Sequence, residues 1–182
     1  MRACRLPVAL LALALGLSAA APAAAAPVRA CEVASAVPTK VNGRAIERAT
    51  LCVLNAERAR YGLRPLRLDR RLSDASRRHA ADMARKDYFS HDSLSGASFV
   101  DRIRGSGYLR GARRWTVAEN IAWGSGARAT PRSIGQAWMN SPGHRANILN
   151  PAYRDIGVGI VAGTPSPGLA GATYATDFGA RG

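Results

Sequence analysis

The sequence predicts an α+β domain in which helices come first and strands last. Three observations predict it. Apolar residues recur at helical spacing from residue 44 onward, turn signals punctuate the chain at short intervals, and two alternating strand patterns close it. That order implies helices layered on antiparallel strands. At 182 residues there is room for one domain and a leader, since domains run to ~100–200 residues. A hydrophobic content of 47% allows a real core and excludes a disordered tail.

Residues 1–26 read as an export signal. Arg2 and Arg5 precede an apolar run at 6–17, and the small-residue stretch that follows offers cleavage after Ala21 or Ala25. An uncleaved anchor is the alternative, because the whole apolar run approaches the ~20 residues of a membrane span. Residues 27–43 form an N-terminal segment, expected to be extended and punctuated by Pro38 and Gly43. The domain proper occupies 44–182.

Its first helix starts at Arg44 and buries Ile46, Thr50, Val53 and Leu54, with Gly62 as its C-terminal stop. Residues 63–66 (LRPL) make a turn. A second helix starts at Asp69 or Ser73 and runs to about Lys86; Leu72, Ala75, Ser76, His79, Ala80, Met83 and Ala84 form its inner stripe. A loop at 87–96 leads to a short helix at 97–106 that turns Phe99, Val100 and Ile103 inward. Residues 107–114 are a basic loop, and 117–123 are apolar apart from Glu119 and Asn120. Pro131 at a first helical position, capped by Thr130, opens a helix over 131–140 with Ile134, Ala137 and Trp138 on its apolar face. Residues 141–149 turn into a further helical turn. Strands at 156–162 and 172–178 are joined as a hairpin by the Gly/Pro-rich stretch 163–171.

The charge balance is strongly basic. Twenty-six Lys and Arg against 12 Asp and Glu give +14, and losing residues 1–26 lowers this by two, to +12. Such a field favours an anionic cell-envelope polymer or anionic lipid. Export and the lack of an aromatic-interleaved basic stripe argue against nucleic acid. Only three Cys and three His are present, which excludes large metal clusters and disulfide-dense scaffolds. Without Cys4, the pair Cys31 and Cys52 is expected to form a disulfide outside the cytoplasm, contributing about 3 kcal/mol and pinning the N-terminal segment to the first helix.

Three polar residues sit in apolar or tightly turned surroundings: His91, Glu119 and His144. A carboxylate between Ala118 and Asn120 is costly to bury unless paired. Two histidines and a glutamate match the ligand set of an open zinc site, with His91 and His144 as candidate metal ligands and a divalent cation such as Zn as candidate cofactor. The same trio equally suits a hydrogen-bonded network lining a cleft. Gaps of 28 and 25 residues impose no local geometry. His79 falls on the inner stripe of the second helix and reads as a core or supporting histidine. There is no Gly-x-Ser-x-Gly, and Ser90 and Ser141 read as turn and cap residues.

Taken together, NAER (55–58), HAADMA (79–84), YFSH (88–91), AENIA (118–122), QAW (136–138), SPGHRANIL (141–149) and IGVG (156–159) resemble, in that order, the CAP superfamily of cysteine-rich secretory, antigen 5 and pathogenesis-related 1 proteins (SCP domains), in its bacterial branch. The resemblance covers about residues 47–179. It implies a three-layer α-β-α sandwich with a small antiparallel sheet and an open cleft, in which His91, Glu119 and His144 match family positions. A second glutamate carried by many eukaryotic members soon after the first histidine has no counterpart in the DSLSG (92–96) of this chain. The expected function is a secreted, non-catalytic binding module whose cleft holds a small lipid-like ligand or a divalent cation at His91, Glu119 and His144. The alternative is a metal-dependent or acid/base hydrolase acting on extracellular or cell-wall polymers, with Glu119 as base.

Overall fold

A computed structural model describes residue 1 and residues 29–182. Apart from Met1, the export signal expected at 1–26 lies outside the described residues.

The domain has five α-helices and four strands among the described residues: α1 Gly43–Arg60, β1 Arg67–Leu68, α2 Arg70–Arg85, α3 Phe99–Gly105, β2 Trp115–Ser125, α4 Pro131–Asn140, α5 Pro142–Ile148, β3 Asp155–Ala162 and β4 Gly171–Arg181. Local signals set several boundaries. The Asp69 carboxylate accepts from the Arg71 and Leu72 N–H groups and caps α2. Ser98 and Asp101 form a capping box on α3, and the Thr130 hydroxyl accepts from Ser133 N–H ahead of Pro131. Gly62, past the end of α1, adopts φ +66°, a conformation that favours glycine.

The strands form one sheet in the order β1-β3-β4-β2. β3, β4 and β2 are antiparallel neighbours, with β4 central and β2 at one edge. Two expectations are corrected and one further element is added. The sheet is mixed, because the two-residue β1 pairs parallel with β3. The segment around Glu119 is an 11-residue strand in full ladder with β4. The N-terminal segment is not extended: Arg29–Ser35 is a 3-10 helix that packs on α1 and α4 and buries Ala34 completely. It is held there by the Cys31–Cys52 disulfide, whose Cα atoms lie 5.5 Å apart. Burying Ala34 against two helices favours the compact turn over an extended chain.

Helices cover both faces of the sheet. On one face, Ile46 and Leu54 of α1, Ile134 and Trp138 of α4 and Ile148 of α5 pack on Ile156, Val158, Ile160, Tyr174 and Phe178. On the other, Leu72 and Ile103 of α2 and α3 meet Tyr108 and Leu109, and Ala80 and Met83 meet Ile121 and Ala175. The result is the α-β-α layering that the resemblance implied. The alternating glycines of β3 explain how α2 lies so close. A Cβ on Gly157 or Gly159 would sit 2.1 Å from the α2 backbone at Leu72 or Arg77.

Buried polar side chains hold the α1–α5 side. Asn55 exchanges two hydrogen bonds with the backbone of Leu66. Arg58, fully buried, donates to the carbonyls of Arg64, Ile148 and Asn150, tying α1 to the following turn and to the end of α5. These are the asparagine and arginine of the NAER stretch: Asn55 fixes the turn before β1, and Arg58 fixes the end of α5.

Gly159→Ala is expected to lower the urea unfolding free energy by about 3 kcal/mol, the upper range for overpacking a core. Gly143→Ala, on an open helix surface with nothing within 4 Å, is expected to leave stability unchanged or slightly raised. Equal effects from the two would show that α2 does not rest on β3 through these glycines.

Candidate functional site

Glu119 lies in the middle of the edge strand β2 and is 5% exposed. One carboxylate oxygen accepts from Nδ1 of His91 at 2.8 Å, and the other from a guanidinium nitrogen of Arg102 at 2.7 Å. Nε2 of His79 lies 4.0 Å from the second oxygen and contacts the Ser90 carbonyl at 2.9 Å. Each partner comes from a different element: His79 from α2, Arg102 from α3 and His91 from the loop between them. Arg102 also donates to the carbonyls of His91 and Ala97 and to the Ser93 hydroxyl, so it fastens the His91 loop as well as the carboxylate.

His144 reaches the site from the other face of the sheet, on α5. Its backbone carbonyl accepts from the Asn120 side chain at 3.1 Å. The Asn147 side chain donates to the Asn120 side chain at 2.8 Å and to the Glu119 carbonyl at 3.4 Å. Consecutive strand residues point to opposite faces, so Glu119 and Asn120 hold the two layers around one strand edge. Of the residues singled out in the sequence, His91 and Glu119 are in direct contact. The charge of His91 is felt at His144.

The electrostatics follow from these contacts. The hydrogen bond to Glu119 raises the pKa of His91, whose side chain is half exposed. Burial lowers that of His144, and the nearby His91 charge lowers it further. Burial also lowers His79, against the pull of Glu119. Asp177, the cross-strand partner of Glu119, is almost completely buried. One of its oxygens accepts from the Ser76 hydroxyl at 2.8 Å, while the other has no hydrogen-bond partner. Burial, and then the charge of Glu119, push its pKa well above the ordinary carboxyl value.

Sequence reasoning missed Arg102 and Asp177. Arg102 follows Phe99 by three residues and precedes Ile103, which places it on the inward side of α3. Asp177 is an acid in a strand that helices cover on both faces. In each case the signal was a charge on a buried stripe.

Three donors do not converge as a ready-made metal site: among the described residues there is no group of three or more His, Cys, Asp or Glu side chains placed to hold an ion. What the arrangement offers is two imidazoles. With Nδ1 of His91 engaged by a buried carboxylate, Nε2 is the nitrogen left for a ligand, as in the carboxylate–histidine pairs that orient metal ligands.

Comparison with known proteins agrees with this architecture. The family model described as the cysteine-rich secretory protein family, CAP, matches residues 51–174. The chain belongs to the CAP family. It is 41% identical over 127 residues to the uncharacterized protein YkwD of Bacillus subtilis, covering 70% of this chain and 46% of that protein. It is 33% identical over 116 residues to the uncharacterized membrane protein YlbC of the same organism, covering 63% of this chain and 31% of that one. The CAP chain thus spans less than half the length of these curated relatives. Among solved structures it is similar to an extracellular SCP-domain protein from Bacillus anthracis, with a TM-score of 0.56 at 26% identity over 78% of this chain and 44% of that one. It is also similar in fold to an outer surface protein from Borrelia burgdorferi, with a TM-score of 0.57 at 21% identity over 71% of this chain and 87% of that one.

The opposed histidine shifts are directly measurable. NMR titration is expected to place His91 above 6.5 and His144 below it, and Glu119→Gln should bring His91 back down. A histidine whose pKa is raised on folding contributes stability below its unfolded value of about 6.5, and that contribution fades as pH rises through the folded value. His91→Gln should therefore flatten that part of the stability profile. A His91 titration unchanged in Glu119→Gln would remove the hydrogen bond from the account.

Proposed function

We propose that this CAP domain is an extracellular binding module whose ligand is held at His91 and His144, with Glu119 as the group that orients His91. One observation carries the reading. Both oxygens of Glu119 are already engaged, by His91 and Arg102, within a buried setting. A general base must have an oxygen within reach of the proton it removes, and each oxygen of this carboxylate already holds a cationic neighbour. It serves as a fixed brace for His91. The likeness to the extracellular SCP-domain protein of Bacillus anthracis supports the extracellular placement, as does the leader-like composition of residues 1–26.

A divalent cation such as zinc fits the two imidazoles. His91 and His144 would hold it, and a bound cation would supply a positive centre for an anionic or carbonyl group of a further partner. Two nitrogen ligands without a third protein donor imply modest affinity. A small lipid-like ligand is the second reading. It is favoured by Phe89 and Leu94, 46% and 64% exposed in the same loop as His91.

Titration calorimetry with zinc is expected to give one weak site in the wild type and none in His144→Ala. Equal binding by both would displace the cation from this site. Turnover of casein or wall fragments that disappears in Glu119→Ala would replace the binding reading with a hydrolytic one.

A further inference from the structure

Two sizeable concavities lie away from Glu119. Two adjoining hollows of about 810 and 620 Å3 share Arg44, Glu47, Arg48 and Arg77 as lining residues, and together form one groove between the first turns of α1, the body of α2 and the end of β3. Neither is lined by His91, Glu119 or His144.

Five cations line the groove: Lys40, Arg44 and Arg48 along one part, and Arg70 and Arg77 along the other. Only two carboxylates face them, and both are already engaged by the same arginine. Arg77 bonds Glu47 at 2.8 Å and Asp74 at 3.0 Å. Lys40, Arg44, Arg48 and Arg70 are exposed and have no hydrogen bond or ion pair among the described residues. Four uncompensated cations facing one hollow repel one another, an arrangement that an anionic occupant would relieve. The positive end of the α1 dipole adds to the same field, since the first turn of that helix contains no acidic residue.

We infer that this groove is a binding site for a phosphate-bearing polyanion, a polymer with a phosphate charge on each repeat. The site is separate from the one at His91 and does not depend on it. The groove's size points to a polymer, because a single phosphate would reach only part of the row of cations. Its chemistry points to phosphate. Three of the four free cations are guanidinium groups, whose paired N–H donors match phosphate oxygens bidentately. The lining cations stand on two helices and a turn, so the groove recognises charge along a backbone and sets no register for peptide side chains.

The test uses the full chain and inorganic polyphosphate, with poly-glutamate and neutral dextran as comparison polymers. Wild type is expected to bind polyphosphate with an affinity that falls on the order of tenfold or more between 50 and 200 mM salt, as counterion release requires. Arg44→Gln with Arg48→Gln should weaken binding at least tenfold. Arg113→Gln with Arg114→Gln, which removes the same charge from a loop that does not line the groove, should weaken it less than twofold. Because Arg44 and Arg48 have no partners in the fold, the double variant should retain the wild-type unfolding temperature. As an independent readout on the wild type, polyphosphate should shift backbone amide resonances within residues 40–48 and 68–77. Absence of binding, equal losses in the two double variants, amide shifts scattered over the surface, or poly-glutamate bound as tightly as polyphosphate would each overturn the assignment.

Discussion

The structure around the site depends on one buried carboxylate. Removing a carboxylate from water costs several kcal/mol, and the fold offsets that cost at Glu119 by bringing three segments to it. Arg102 sits on one oxygen at 2.7 Å and His91 on the other at 2.8 Å, so α3 and the loop before it are placed by the same charge. The neighbouring strand adapts as well. Asp177 stands directly across from Glu119, and its pKa is driven up first by its own burial and then by the charge of Glu119. His79 is driven the other way, towards its neutral form, chiefly by burial. The surroundings thus favour a single anion at this point, with one guanidinium and one imidazole arranged around it.

Position in the sheet gives this cluster its access to solvent. β4 is central and flanked on both sides, whereas β2 has a free edge, and the middle of β2 can be approached from both helical layers. The α2–α3 layer supplies His79, Arg102 and the His91 loop. The opposite layer supplies His144, held on α5 by Asn120 and Asn147 beside the strand and by the buried Arg58 at the helix end. Residues distant in sequence meet here because a helix on each face wraps the same edge.

Much of this was legible in the sequence. Helical periodicity located α1, α2 and α4 almost to the residue, and glycine alternating with Ile and Val marked β3 as a strand. The cysteine pair was readable from compartment and number. β2 was harder: its face towards α2 and α3 carries Val117, Glu119 and Ile121, so an acid interrupts the apolar alternation where the site lies. β1 could not be read at all, because two residues carry no period and its pairing is dictated by β3. The extended reading failed over Arg29–Ser35 because a tertiary contact, the burial of Ala34, decides that conformation. Arg102 stayed hidden because a charged residue on a seven-residue helix reads as solvated surface until its buried partner is known.

The basic excess is also not spread evenly. Of the 12 acids, Glu47, Glu57, Asp69, Asp74, Asp82, Asp101 and Glu119 each have a cationic partner within 4.0 Å. Asp155 accepts from Tyr108 and Asp177 from Ser76. With nine of the 12 carboxylates committed to a local contact, the remaining arginines dominate the external charge, and several of them face one hollow. At the β2 edge the opposite holds, since Arg102 and His91 are spent on Glu119. The two edges of the sheet therefore differ in kind. One is an internally balanced cluster that presents imidazoles, and the other a groove whose positive charge the protein itself leaves unanswered.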